Sequence, residues 1–309
     1  MDIFDTKGIK PMLISEMVKP YDDDDSIFEI KVDGHRGLSY NDKYSSDFRN
    51  KKDIKIAPRF PELQSIFKNC KQKCILDGEI NILIDGRPNY HEVQRRSAMT
   101  DPFKIELAYK RHPANFVAFD IIYYKDRLVT ELPLMERKRL LSDVVSECDA
   151  LSISRYIDAQ GKALFELAEK LKLEGVVGKK KSSQYWFGKE TKEWNKIKVI
   201  KDDDYVCVGF FPPKDNHRST LILAKYDSSN QLKIQSHVSL GVSLSNLLRS
   251  GIKASYCPIK NISGGYEGAV WVDPFVCTIE YMPSDKQGLR QATFKGIRDD
   301  KAPAECRML

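Results

Sequence analysis

No apolar run in the 309 residues approaches the roughly 18 that a membrane-crossing helix needs. The first residues, MDIFDTKGIKPML, also lack the charged-then-apolar pattern of a secretory signal, so the chain is expected in the cytoplasm. Cysteine is scarce and scattered. There are seven, an odd number, and Cys70 and Cys74 are close while Cys148, Cys207, Cys257, Cys277 and Cys306 lie far apart. A zinc site usually needs two close pairs, or a pair with two histidines, so free thiols in a reducing compartment are the better reading. No internal repeat is evident. An excess of one charge sign is nearly missing too: 50 Lys+Arg against 44 Asp+Glu gives only +6. The distribution says more than the sum. RNKKDIK (49–55) and KKKSSQYWFGKETKEWNKIKVIK (179–201) are basic, and the second carries Tyr and Trp, which suits a polyanion partner.

What is present is a chain 41% hydrophobic, long enough for one large domain or two ordinary ones. Strands are expected at 27–33, 74–84, 116–124, 175–180 and 194–200, and helices near 60–69, 131–147 and 160–172. In the last helix Ala163, Leu164, Leu167, Ala168 and Leu171 fall at helical spacing and read as core. After the acidic run 202–204 the texture changes to short strands split by Pro, Asn, Ser and Gly, with one short helix at 243–250. That pattern suggests a small β-barrel of the OB type, and the boundary is set at 203/204. GGYEG (264–268) reads as a loop between strands, because no helix-forming segment follows it.

Several strands carry charge on one face. In FEIKVDGHRG (28–37), Glu29, Lys31 and Asp33 alternate with Phe28, Ile30 and Val32. In CILDGEINILI (74–84), Ile75, Asp77, Glu79 and Asn81 oppose Leu76, Ile80, Ile82 and Ile84. In EWNKIKVI (193–200), Trp194, Lys196 and Lys198 share a face. A sheet with one face in water would account for any one of these. It does not account for glycine recurring beside the acids, at Gly34, Gly78 and Gly175. A cleft of lysines and carboxylates suits a nucleoside triphosphate with a divalent metal.

KVDGHR (31–36) fits K-x-D-G-x-R, the signature of covalent nucleotidyltransferases. LDGEI (76–80), FVAFDII (116–122), EGVVGK (174–179), WNKIK (194–198) and FKGIRDDK (294–301) resemble that superfamily's other motifs, in its order. The texture between motifs, as in LDGEINILIDGRPNYHEVQRR and FDIIYYKDRLVTELPLMERKRLL, is similar to ATP-dependent DNA ligases, and within them to the ligase module of the bacterial end-joining ligase D family. The resemblance implies an α+β fold: a nucleotidyltransferase (ATP-grasp-like) domain at 1–203 with antiparallel sheets and flanking helices, then an OB-fold domain at 204–309. With no polymerase or phosphoesterase domain in the sequence, a stand-alone, monomeric, nucleoid-associated ligase is expected.

By the same resemblance Lys31 takes AMP from ATP. Glu29 receives the adenine amino group, Phe119 stacks on the base, and Arg36 and Glu79 meet the ribose. Glu174, Glu79 and Asp33 hold Mg²⁺ or Mn²⁺. Lys196 and Lys198 contact the α-phosphate and Lys196 also the nick phosphate, while Arg298 and Lys301, with Asp300, orient pyrophosphate. Arg49 grips the 5′-phosphate of nicked or broken duplex DNA, although DFRNKK (47–52) has Phe48 and Lys51 where relatives carry Ser and Gly. Bacterial Ku is the implied protein partner. Glu29 and Asp33 flank Lys31 and would hold its proton, so cations from Lys196, Lys198 and a metal are expected to loosen it. The rivals are an RNA ligase, an RNA-capping guanylyltransferase, against which Glu29 argues, and a non-catalytic nucleic-acid-binding protein.

Overall fold

A computed structural model describes residues 2–212, 219–240, 256–260, 262, 264–282 and 289–308. The chain divides into two compact units, Met1–Lys198 and Val199–Leu309. The divide falls ahead of the expected 203/204, because the acidic run is no linker. Asp202, Asp203 and Asp204 sit inside the strand Lys201–Phe211. Asp202 is exposed, and cations meet the other two: Lys225 pairs with Asp203 at 2.5 Å and Lys301 with Asp204 at 2.9 Å.

The strands of the first unit are β1 (Leu13–Met17), β2 (Ser26–Ile30), β3 (His35–Asn41), β4 (Ser46–Asn50), β5 (Cys74–Ile84), β6 (Arg87–Pro88), β7 (Ala114–Tyr124), β8 (Arg127–Leu128), β9 (Leu151–Ile153), β10 (Tyr156–Asp158), β11 (Gly175–Lys180) and β12 (Glu190–Lys198). Its helices are α1 (Ile3–Thr6), α2 (Tyr90–Ser97), α3 (Pro102–Arg111), α4 (Leu134–Val144) and α5 (Gly161–Lys170). One sheet has the order β1-β12-β11-β2-β10, the other β4-β3-β5-β7-β8 with β6 on β5 and β9 on β7. Antiparallel pairing dominates; β1–β12 and β7–β9 are parallel.

The two faces of β5 explain the layering. Leu76, Ile80 and Ile82 pack with Phe48, Leu63, Ile66, Phe116 and Leu141 in one core. Ile75 points the other way and joins Leu38, Tyr40, Ile122, Tyr185 and Trp194, drawn from both sheets, in a second. Each fully buried side chain of this kind contributes about 1.5–3 kcal/mol. The cores therefore fix the sheets against each other, and polar residues between them must find partners in protein. Segment 60–69, expected as a helix, forms 3₁₀ turns (Pro61–Asn69) in which Leu63 and Ile66 lie three apart and face the core together. The helix expected at 131–147 is shorter, since Val145 leaves it to bridge to Cys70. The strand expected at 27–33 ends at Ile30. The chain must then turn past β5, where a Cβ on Gly34 would lie 2.0 Å from the Ile80 carbonyl oxygen.

The second unit is a curled five-stranded sheet, as expected for an OB-type barrel. It contains β13 (Lys201–Phe211), β14 (Thr220–Tyr226), β15 (Leu232–Ser239), β16 (Val270–Met282) and β17 (Arg290–Ile297), in the order β15-β14-β13-β16-β17. Tyr205, Cys207, Leu221, Leu223, Val238, Cys277 and Ile279 fill it. Its edges meet where the Leu289 amide donates to Ser236 Oγ at 3.2 Å. After 264–268 the chain enters β16. The expected helix at 243–250 lies outside the described residues. Among the described residues no helix is long and apolar enough to cross a membrane.

Candidate active site

A cleft opens between the two sheets of the first unit. Glu29, Lys31, Arg36, Glu79 and Phe119, singled out in the sequence, all line it, together with Ser154, Lys179 and Trp194. Lys31 stays in the wall although β2 has ended, because its amide donates to the Gly175 carbonyl at 2.9 Å and prolongs the ladder to β11. Its Nζ donates to Glu174 Oε2 at 2.6 Å. Lys198 Nζ lies 3.8 Å from the other Glu174 oxygen. Glu174 gets this close because β11 begins hard against β12. Gly175 has φ +146°, and a Cβ there would stand 2.1 Å from the Ile197 carbonyl oxygen.

The nucleophile candidate is thus paired with Glu174, not suspended between Glu29 and Asp33 as the alternation suggested. Asp33 lies on the β2–β3 connection and is not among the lining residues. Lys196 Nζ reaches the Ile14 carbonyl at 3.4 Å, on the β1 side of the cleft.

Arg36 makes a two-pronged pair with Asp77, each N–O distance 2.6 Å, and its guanidinium carbon lies 4.5 Å from the Phe119 ring centre. The Tyr185 hydroxyl donates to the same Asp77 at 2.6 Å. Burial pushes the Tyr185 phenol well up, and the Asp77 charge adds to it. Burial works against the Arg36 charge, yet Asp77 outweighs it and raises the guanidinium further. Glu79 has no such clamp. Burial pushes its carboxyl up to about 8, the Arg36 and Lys31 cations offset part of that, and the Glu174 charge adds to it.

Glu29 is buried as well. Lys138 pairs with its Oε1; Lys179 and Ser154 donate to Oε2 at 3.1 and 2.8 Å. Burial raises its carboxyl, but the charges of Lys138 and Lys179 prevail and hold it below the ordinary range. Lys179 lies 4.5 Å from the Phe119 ring centre and 4.2 Å from that of Trp194. The sequence reading missed Lys138, Ser154, Asp77 and Tyr185 as partners, and gave Lys179 no role.

Among the described residues no three His, Cys, Asp or Glu side chains cluster closely enough to hold a metal unaided. Mg²⁺ commonly takes one or two protein carboxylates and completes its shell with phosphate oxygens and water. Glu174 and Glu79 fit that use: Glu174 already faces the Lys31 and Lys198 cations, and burial pushes the Glu79 carboxyl up, a shift that a nearby cation would oppose. Arg49 on β4 is engaged by Asp47 at 3.1 Å and Asp53 at 3.3 Å, away from the lining residues. In the second unit Arg298 and Lys301 share Asp204 at 3.2 and 2.9 Å, and Arg298 also pairs with Asp300 at 2.7 Å.

The chain is similar to known DNA ligases in sequence and in fold. The chain is 23% identical, over 94% of its length and 99% of the relative's, to the SPbeta prophage-derived DNA ligase-like protein LigB of Bacillus subtilis. It is 27% identical over 90% of its length to the multifunctional non-homologous end joining protein LigD of Pseudomonas aeruginosa, of which it spans only 34%. Among solved structures, mycobacterial DNA ligase D complexed with ATP and MES superposes with a TM-score of 0.57 at 22% identity, covering 96% of this chain and 97% of that one. A Lig E DNA ligase gives 0.62 at 14% identity, covering 92% and 99%, and both likenesses support the fold. Residues 10–198 match the model of the ATP-dependent DNA ligase domain. With that match over most of the chain, this protein belongs to the ATP-dependent DNA ligases.

Proposed function

We propose that this ligase seals 5′-phosphate/3′-hydroxyl breaks in duplex DNA through a lysyl-AMP intermediate on Lys31, in repair by end joining. The observation that carries the reading is the Lys31–Glu174 pair within a cleft that also holds Glu29, Arg36, Glu79 and Phe119. Lys31 Nζ gives up a proton and attacks the α-phosphorus of ATP. The N–P bond forms as the bond to the bridging oxygen breaks, and pyrophosphate leaves. AMP then passes to the 5′-phosphate of the break, and the 3′-hydroxyl displaces it.

Such transfers depend on positioning and on neutralising phosphate charge. Glu174 orients Nζ, and Lys198, sharing Glu174, weakens the hold of that carboxylate on the Lys31 proton. Phe119 stacks on adenine, Arg36 and Glu79 hold the ribose, and Lys196 meets the phosphates. Arg298 and Lys301 orient pyrophosphate, and Arg49 holds the 5′-phosphate. Mg²⁺ or Mn²⁺ on Glu174 and Glu79 would supply further positive charge to the phosphates. The LigD relatives, named for end joining, support that role, although the chain spans little more than a third of the first LigD relative, and Ku as a partner rests on the resemblance to the ligase D family alone.

The test is adduct formation with labelled ATP and a divalent cation. Lys31→Ala should acquire no AMP, and a mutant that acquires it at wild-type yield overturns the reading. Ligation of nicked DNA, nicked DNA with a 3′-ribonucleotide, blunt ends and nicked RNA then ranks the break types.

A further inference from the structure

Glu29 has more positive partners than its own charge requires. A carboxylate offers about four acceptor positions. Lys179 and Ser154 occupy Oε2 at 3.1 and 2.8 Å, which fills that oxygen. Oε1 is buried, receives no well-directed hydrogen bond, and has the Lys138 ammonium beside it. Glu29 lines the cleft, and Oε1, with Lys138 beside it, is the oxygen whose acceptor positions no directed hydrogen bond fills. The lysines come from separate elements, α4 and β11, and the serine from the turn after β9.

We propose that Lys138, Lys179 and Ser154 form a charge clamp that keeps Glu29 ionised, and that this clamp sets the selectivity for a 6-aminopurine over a 6-oxopurine nucleotide. This rests on the reading of Glu29 as the base-contacting acid. The chemistry is that of donors and acceptors. An ionised carboxylate can only accept, so it takes an N–H from the 6-amino group of adenine and repels the 6-oxo oxygen of hypoxanthine or guanine. A protonated carboxyl would donate to that oxygen and lose the distinction. Two ammonium groups in a dry site make protonation of Glu29 costly. The Ser154 bond fixes which oxygen stays open. Lys138, Lys179 and Ser154 are positioning residues: they act on the nucleotide through Glu29.

The test is AMP- or IMP-adduct formation by the full chain, with kcat and KM measured for ATP and inosine triphosphate. Wild type is compared with Glu29→Gln, Lys138→Met, Lys138→Arg and Ser154→Ala. Lys138→Met should lower the ATP-over-inosine-triphosphate ratio of kcat/KM about tenfold, mainly through KM, as expected for removal of one of the two counter-charges beside the carboxylate. Ser154→Ala should lower it less, and Lys138→Arg should restore it. Ser154→Ala keeps the test open should Lys138→Met fail to fold. A ratio unchanged in Lys138→Met and Ser154→Ala but altered in Glu29→Gln overturns the clamp. A ratio unchanged in Glu29→Gln as well removes the base reading, and the clamp with it.

Discussion

Burial lowers the Lys179 ammonium to about 8, against the attraction of Glu29 and with the repulsion of Lys138. The groups facing it are Glu29 from β2, Phe119 and Asp120 from β7, Lys138 from α4 and Trp194 from β12. A lysine so lowered is charged below that pH and neutral above it. Its share of the hold on Glu29 is complete in mild acid and is lost as pH rises through about 8. Rising pH itself favours the ionised carboxylate, so selectivity for ATP over inosine triphosphate should stay level from about pH 7 to about pH 9 in wild type and in Lys179→Arg, whose guanidinium keeps its proton, and should rise over that range in Lys138→Met, whose Glu29 has lost one of its two counter-charges. A profile of kcat/KM ratios against pH decides this. The residues of the cleft were unevenly legible. Lys31, Arg36, Glu79 and Phe119 sit in short motifs whose alternation points them inward. Ser154 and Tyr185 sit in connections with no period to read, and they reach Glu29 and Asp77 across 125 and 108 residues of chain.

At the scale of elements, α4 did carry a signal. Its buried residues include Leu134, Arg137, Lys138, Leu141 and Val144, so two cations lie at helical spacing on its apolar stripe. Cations at core positions mark buried acids elsewhere, here Asp120 and Glu29. Arg137 and Asp120 are both fully buried and doubly bonded at 2.8 and 2.9 Å, and Arg137 also donates to the Ser183 carbonyl at 2.9 Å. That one side chain ties α4 to β7 and to the connection between β11 and β12. Arg137→Met removes the two-pronged partner of the Asp120 charge in a dry site and should cost about 3–5 kcal/mol, seen as a lower urea midpoint. Adding Asp120→Asn should recover part of the loss. α2 and α3 escaped the sequence reading, although Asn89 and Asp101 cap them by accepting from Glu92 and Phe103 amides at 2.9 Å. The parallel β1–β12 pair joins Leu13 to Glu190, and no local pattern encodes a pairing so distant.

For the whole molecule, the division into two units separates the motif residues: Lys31 to Lys198 in one, Arg298 to Lys301 in the other. If Arg298 serves pyrophosphate departure, Arg298→Ala should slow adduct formation at least tenfold. Sealing of a nick already carrying AMP should stay near wild type, and a comparison of single-turnover rates reads both. Equal damage to the two steps would place Arg298 in general folding or DNA binding. The distribution of the chain's many lysines has a practical side as well. Lys192 and Lys110 have side chains 80% and 65% exposed, whereas Lys31 is 24% exposed and its nitrogen is capped by Glu174. Amine-directed coupling chemistry will meet the outer lysines first, so the ligase can be attached to a support or a dye through its surface while the Lys31 nitrogen, proposed above as the nucleophile, is shielded by its own ion pair.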